Sequence, residues 1–126
     1  MIFVDTNVFM YAVGRDHVLK DPARSFLTEA QANHDQLCCS AEVLQELLHA
    51  YLPVGRQQTL ERAFSLIQGC VDQMWPVEAE DVELARTLIE KFSHLDARDL
   101  LHLACCRRRS VLRIKTFDRA LAAAFA

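Results

Sequence analysis

The chain lacks any run of apolar residues long enough to cross a bilayer, which takes about 18 or more, so neither a membrane span nor a membrane partner is expected. It has only three Gly and three Pro in 126 residues, too few for long loops or a flexible linker, and a single domain over residues 1–126 is expected. No basic stretch with a cleavage site precedes the first strand, so no signal peptide is expected and the cytoplasm is the expected location. No CxxC pair suggests zinc. The five cysteines (Cys38, Cys39, Cys70, Cys105 and Cys106) are an odd number and mostly adjacent, and they are expected to be reduced and buried. Basic charge is not in excess either: 14 Lys and Arg face 17 Asp and Glu, a net charge of −3. That excludes a strongly basic, sequence-blind nucleic-acid binder. It does not exclude a polyanionic substrate, because four acids set aside to bind metal leave the other side chains near neutrality.

What the chain does have begins at its first residues, MIFVDTN. Ile2, Phe3 and Val4 are apolar without alternation, as in a strand buried on both faces of a parallel sheet. Asp5 follows directly, at the carboxyl end of that strand, where open α/β sheets place their ligands. The plainer reading of Asp5 is a helix N-cap. Thr6 and Asn7 can turn the chain and hold the carboxylate.

Apolar periodicity then predicts a helix over Val8–Val13 ending near Gly14, and a second opened by Asp21 as N-cap with Pro22 at its first position. Leu37–Cys39 reads as a strand. Ser40 is the expected cap of a helix whose apolar face is Val43, Leu44, Leu47, Leu48 and Tyr51, with Glu42, Gln45, Glu46 and His49 on another stripe. A helix over Arg56–Cys70 precedes a weak edge strand at Gln73–Val77. Glu80 or Asp81 should open the next helix, with Val82, Ala85, Leu88, Ile89 and Phe92 turned inward. A buried helix starts near Asp99, Val111–Ile114 is a strand, and Asp118–Phe125 is a last helix. Strands alternating with helices of these lengths imply βαβ units: a three-layer α/β/α sandwich around a parallel sheet of four or five strands.

Four acids are then candidates for one site. Asp5 and Asp118 follow strands, Asp99 starts a helix on the same edge, and Glu46 lies two turns into the helix after the second strand. Two like charges roughly 4 Å apart repel by about 4 kcal/mol at an effective dielectric near 20. Such a cluster needs a divalent cation or raised pKa values. Oxygen donors alone suit Mg2+ or Mn2+, not Zn2+.

The segments VDTNV, SAEVLQEL (Ser40–Leu47), ARDLLHLA (Ala97–Ala104) and IKTFDRAL (Ile114–Leu121), in this order, resemble the PIN domain, and most closely the VapC-type ribonuclease toxins of toxin–antitoxin pairs. The resemblance implies that Asp5, Glu46, Asp99 and Asp118 are the catalytic, metal-binding acids, with Asn7 and Thr116 supporting them. It implies a Mg2+- or Mn2+-dependent endoribonuclease and a cognate antitoxin as partner. Phe9, Met10, Tyr11, Phe26, Leu27, Leu48, Tyr51, Leu52 and Phe64 are many apolar residues for a small chain, and some are expected to form an antitoxin groove and a homodimer surface. Members of the family often continue into a further strand where this chain ends in Ala122–Ala126, which leaves the strand number at four or five. Metal-activated water as nucleophile would leave a 5′-phosphate.

A haloacid-dehalogenase-like phosphatase would want DxD where this chain has Asp5-Thr6-Asn7, and a receiver domain would want an acidic pair after strand one. The remaining alternative is a PIN-like module that binds a partner without catalysis. Arg98, Arg113 and Lys115 are candidate RNA contacts. Arg107, Arg108 and Arg109 are read chiefly as a solvated cationic helix end, with RNA contact as the second reading. His102, one turn after Asp99, could face the cleft, but packing is the first reading; His49, one turn past Glu46, is read the same way, and Trp75 as packing or interface.

Overall fold

Ile2–Val4 forms strand β1, and all three side chains are buried. Leu37–Ser40 (β2), Gln73–Trp75 (β3) and Arg113–Lys115 (β4) follow along the chain. All pairings are parallel, in the order β3-β2-β1-β4, with Ile2 opposite both Leu37 and Arg113. The first strand of the sequence is thus central, which accounts for its unbroken apolar character. The structure, a computed structural model describing residues 1–126, has four strands and no fifth. Parallel strands share one carboxyl edge, and residues just past β1, β2 and β4 gather there.

The helices are α1 (Thr6–Val13), α2 (Lys20–Ala32), α3 (Ala41–Tyr51), α4 (Gln57–Cys70), α5 (Ala79–Thr87), α6 (Ala97–Arg108) and α7 (Arg119–Ala124). Helices α1 to α4 pack together, and α5, α6 and α7 form a second group. Val8, Phe9, Val43, Leu47 and Ala63 are buried in the first group and Leu100, Leu103 and Leu121 in the second. Phe3 meets α6, with its ring 5.2 Å from that of His102. Strand alternation turns Ile2 and Val4 to the other face. No helix is long and apolar enough to cross a membrane.

Several boundaries depart from expectation. Helix α2 begins at Lys20, with Leu19 at the cap position, not Asp21. Pro22 is tolerated because N–H groups of the first turn have no intrahelical acceptor to lose. Ser40 does occupy the cap position of α3, but its hydroxyl makes no cap bond and is buried without a partner. Helix α5 is capped by Glu78, in a reciprocal capping box with Asp81. Val82 and Ile89, expected inside, are 54% and 50% exposed, whereas Asp81 is fully buried. Arg108 and Arg109 hold Asp81 inward, and the next residue on a helix points about 100° away. Ile89 lies past the end of the helix, so the helical spacing no longer applies to it.

Gly14 ends α1 where a Cβ would come within 2.7 Å of the Met10 carbonyl oxygen, so a larger residue there would force a shift. All five cysteines are free thiols, and burial pushes Cys38 and Cys105 up to about 12, far from reactive thiolates. Of the apolar residues expected on partner surfaces, Phe9, Leu27 and Tyr51 are core instead.

Candidate active site

Asp5 leaves β1 and caps α1, as the plain reading of this residue expected, and a cap position leaves it at the carboxyl edge of the sheet. Its Oδ1 accepts from the Thr6 backbone N–H at 2.8 Å, and its own N–H continues the sheet to the Lys115 carbonyl at 2.9 Å. Its Oδ2 accepts from the Thr116 hydroxyl at 2.6 Å. That hydroxyl in turn accepts from Asn7 Nδ2 at 3.2 Å and from the Asp118 N–H at 3.0 Å. Asn7 Oδ1 also accepts from the Phe117 N–H at 3.3 Å. Asn7 and Thr116 therefore tie the end of β4 to the start of α1 and leave Asp5 few ways to turn.

Asp118 caps α7, with Oδ1 accepting from the Leu121 N–H at 3.1 Å. Asp99 lies in the first turn of α6, and Asp96 is the cap, accepting from the Asp99 N–H at 2.9 Å. Glu46 lies midway along α3, on the expected stripe. The structure brings all four acids to the carboxyl edge of the sheet. Asp5, Glu46 and His102 offer donor atoms all within 4.8 Å of one another. Asp99 and Asp118 complete the rim: the charges of Asp5 and Asp118 both act on Asp99, whose pKa is lifted to about 7, first by burial and then by Asp96, Asp5 and Asp118. Burial likewise raises Asp5.

The four carboxyls gathered here fit a divalent cation. Carboxyls that burial and like charge push toward protonation gain most from a hard cation, and helix N-termini beside three of them lend only fractional charge. Metal-free protein should therefore be more stable in mild acid. A carboxyl whose native pKa lies above its unfolded one binds more protons when folded. Its stabilisation is present at low pH and is lost as the pH rises from about 4 to about 7. His102, raised by Glu46 and Asp5 against its burial, acts with the same sign. The melting temperature without metal is expected to fall between about pH 5 and pH 8, and Mg2+ should flatten the slope. A metal-free melting temperature that rises over that interval contradicts this placement of the acids.

His102 is the residue for which the sequence put packing first and the cleft second. It is fully buried, and its Nε2 lies 2.5 Å from Glu46 Oε1 and 3.7 Å from Asp5 Oδ1. The signal available was its spacing of three from Asp99, which puts both on one face of α6. His49, by contrast, is exposed. Trp75 is buried and stacks on Phe3 with centroids 5.9 Å apart, as the packing reading required.

Of the cationic candidates, Arg98 is exposed and 3.7 Å from Asp96, and Arg113 is exposed on β4. Lys115 lies over the Phe117 and Phe26 rings at 4.8 and 5.5 Å. The expectation for Arg108 and Arg109 needs correction, whereas Arg107 is exposed as read. Arg108 and Arg109 are pinned to Asp81 at 2.8 Å each and are neither free for RNA nor merely solvated.

The PIN domain family model matches residues 2–125, and the chain belongs to that family. Within it, the chain is similar to the VapC ribonucleases. It is 62% identical over 125 residues to ribonuclease VapC23 of Mycobacterium tuberculosis, covering 99% of this chain and 98% of the relative. It is 40% identical over 119 residues to ribonuclease VapC13 of the same organism, covering 94% and 91%. Among solved structures, M. tuberculosis VapC20, a sarcin-ricin loop cleaving toxin, superposes with a TM-score of 0.80 at 19% identity, covering 98% of this chain and 95% of that one. VapBC2 of Rickettsia felis, bound to a promoter DNA fragment, gives 0.66 at 16% identity, covering 94% and 100%. At these identities the two structures speak to the fold alone.

Proposed function

We propose that this protein is an endoribonuclease, the toxin of a toxin–antitoxin pair, and that Asp5, Glu46, Asp99 and Asp118 hold Mg2+ or Mn2+ at its active site. The observation that carries the reading is the convergence of these acids with Asp99 lifted to about 7, an arrangement that is unfavourable without a cation. The 62% identity to a ribonuclease over nearly the whole chain supports the substrate class.

Asp5, Glu46, Asp99 and Asp118 would hold the divalent ion, which when bound would supply activation of water and neutralisation of charge on the phosphate. The chain supplies the rest. Thr116 and the Thr6 N–H orient the two oxygens of Asp5, and Asn7 holds Thr116 in turn. Asp118 has Oδ1 committed to its cap bond, which leaves Oδ2 as the oxygen it can offer a metal. Arg98, Arg113 and Lys115 are the cations offered to the RNA backbone, and Arg98 must first leave the weak, exposed pair with Asp96. The expected partners are RNA, a cognate antitoxin and a second copy of this chain. Half-exposed Val82 and Ile89 border a shallow apolar groove of about 280 Å³ with Leu100 and Leu101, a surface suited to protein contact.

The test is cleavage of RNA by purified protein with Mg2+ or Mn2+, with and without EDTA, and with the product of the neighbouring gene added. Cleavage should stop on chelation, should be suppressed by the antitoxin, and should leave 5′-phosphate ends. Undiminished activity in EDTA, or 2′,3′-cyclic phosphate ends, would overturn the mechanism.

A further inference from the structure

We infer that His102 is a positioning residue for the metal site: through Nε2–H it fixes the Glu46 carboxylate from the opposite helical layer, and it does not itself ligate the metal. This rests on the active-site reading above and adds a residue to it. The two groups are 56 positions apart in the chain. Glu46 stands on α3, in the first helical group, and His102 on α6, in the second. Their contact closes over the end of β1, beside Asp5. Glu46 has a long side chain, 15% exposed, of a type with much rotamer freedom to lose. The imidazole has no such freedom: it is fully buried and packed against the Phe3 ring. Of the pair, the ring is the fixed member and the carboxylate the one being held.

The other ring nitrogen decides between holding and ligating. Nδ1 is buried and has no hydrogen-bond partner. A histidine that coordinates metal through Nε2 carries its proton on Nδ1 and almost always donates it to a carboxylate, carbonyl or water. Here no acceptor of the protein lies within reach of that buried proton. The arrangement with the proton on Nε2 avoids this and places a donor against Glu46. Nε2 carries the donor whether the ring is neutral or charged, so the role does not depend on titration; in the charged ring the second proton, on Nδ1, is offset by the Glu46 and Asp5 carboxylates that face Nε2. Asp99, one turn earlier on the same face, shares the fixed backbone of α6. The spacing Asp99-x-x-His102 thus delivers a carboxylate to the cleft and, behind it, a donor for the carboxylate of another helix.

Three variants and one spectrum test this. His102→Leu keeps the bulk and removes the donor. His102→Gln restores an N–H at nearly the position of Nε2. Calorimetric Mn2+ binding, which needs no RNA, should weaken about 10- to 100-fold in His102→Leu and stay near wild type in His102→Gln. The Mg2+ concentration that half-activates cleavage should move in parallel. Unaltered Mn2+ affinity in a folded His102→Leu overturns the inference, as does equal loss in a folded His102→Gln. Should His102→Leu not fold, His102→Phe serves, and the imidazole 15N spectrum of the wild-type protein decides on its own. Nε2 should carry its proton both without metal and with Mg2+ bound, and a deprotonated or metal-bound Nε2 rejects the role. A wild-type protein that binds no Mn2+ at all would instead count against the proposed function, while the tautomer would still be readable.

Discussion

Asp99→Asn should abolish RNA cleavage while leaving a folded and, without metal, more stable protein. Loss of groups that merely support metal ligands already costs about 10- to 100-fold in affinity or activity. Removing a ligand's charge should therefore lower the rate by more than about 100-fold. The stability gain follows from the pKa of Asp99. Burial and the charges of Asp96, Asp5 and Asp118 disfavour its anion, and Asn removes the charge while keeping the shape. Asp96→Ala is the control within the same turn. It deletes the cap bond to the Asp99 N–H, at a cost of about 0.5–2 kcal/mol, and should leave cleavage by the folded protein largely intact. Nuclease rate and metal-free melting temperature, measured side by side on both variants, decide the assignment. An active Asp99→Asn, or an inactive but well-folded Asp96→Ala, would reverse it.

The second large effect is expected away from the acids of the site. Asp81 is fully buried. Its Oδ1 accepts from Arg108 and Arg109 at 2.8 Å each, and its Oδ2 from the Glu78 N–H at 2.8 Å and from Arg109 at 3.2 Å. Burial alone would raise its pKa, but these hydrogen bonds prevail and hold it well below the usual carboxylate range. Arg109 also donates to the Pro76 carbonyl and lies 4.9 Å over the Trp75 ring, so the group ties α5, the end of α6 and β3 together. Breaking a buried pair by removing one partner costs about 3–5 kcal/mol. Asp81→Ala should fall at the lower end, because both guanidiniums are partly exposed and keep their existing pairs with Glu78. The urea midpoint should drop with an unchanged slope, and the cleavage rate of the folded fraction should hold. A midpoint within experimental error of wild type would show that the group adds nothing to stability.

Much of this was legible because it is local. Three apolar residues followed by Asp5 specify a buried strand and a capped helix within seven positions. The apolar spacing of α3, α4 and α6 follows from residues three and four apart, and four short segments in register carried the family resemblance. Boundaries at α2 and α5 were misplaced where two capping choices competed within a turn: Asp21 against Leu19, and Asp81 against Glu78. Local preference differs there by less than tertiary contacts supply.

Other features were decided only by contacts between residues far apart in the chain. Whether His102 is filler or part of the site depends on Glu46, 56 positions away, and on Asp5 at the end of another strand. Whether the arginine run faces solvent or closes a buried pair depends on Asp81, 27 and 28 positions earlier. The burial of Asp81 in turn is what turns Val82 outward. Sequence alone established which residues could carry charge to one edge of a parallel sheet, because strand, cap and period are set by near neighbours. Only the tertiary structure decided which charges are paired, buried and held, because desolvation and Coulomb energies depend on separation in space.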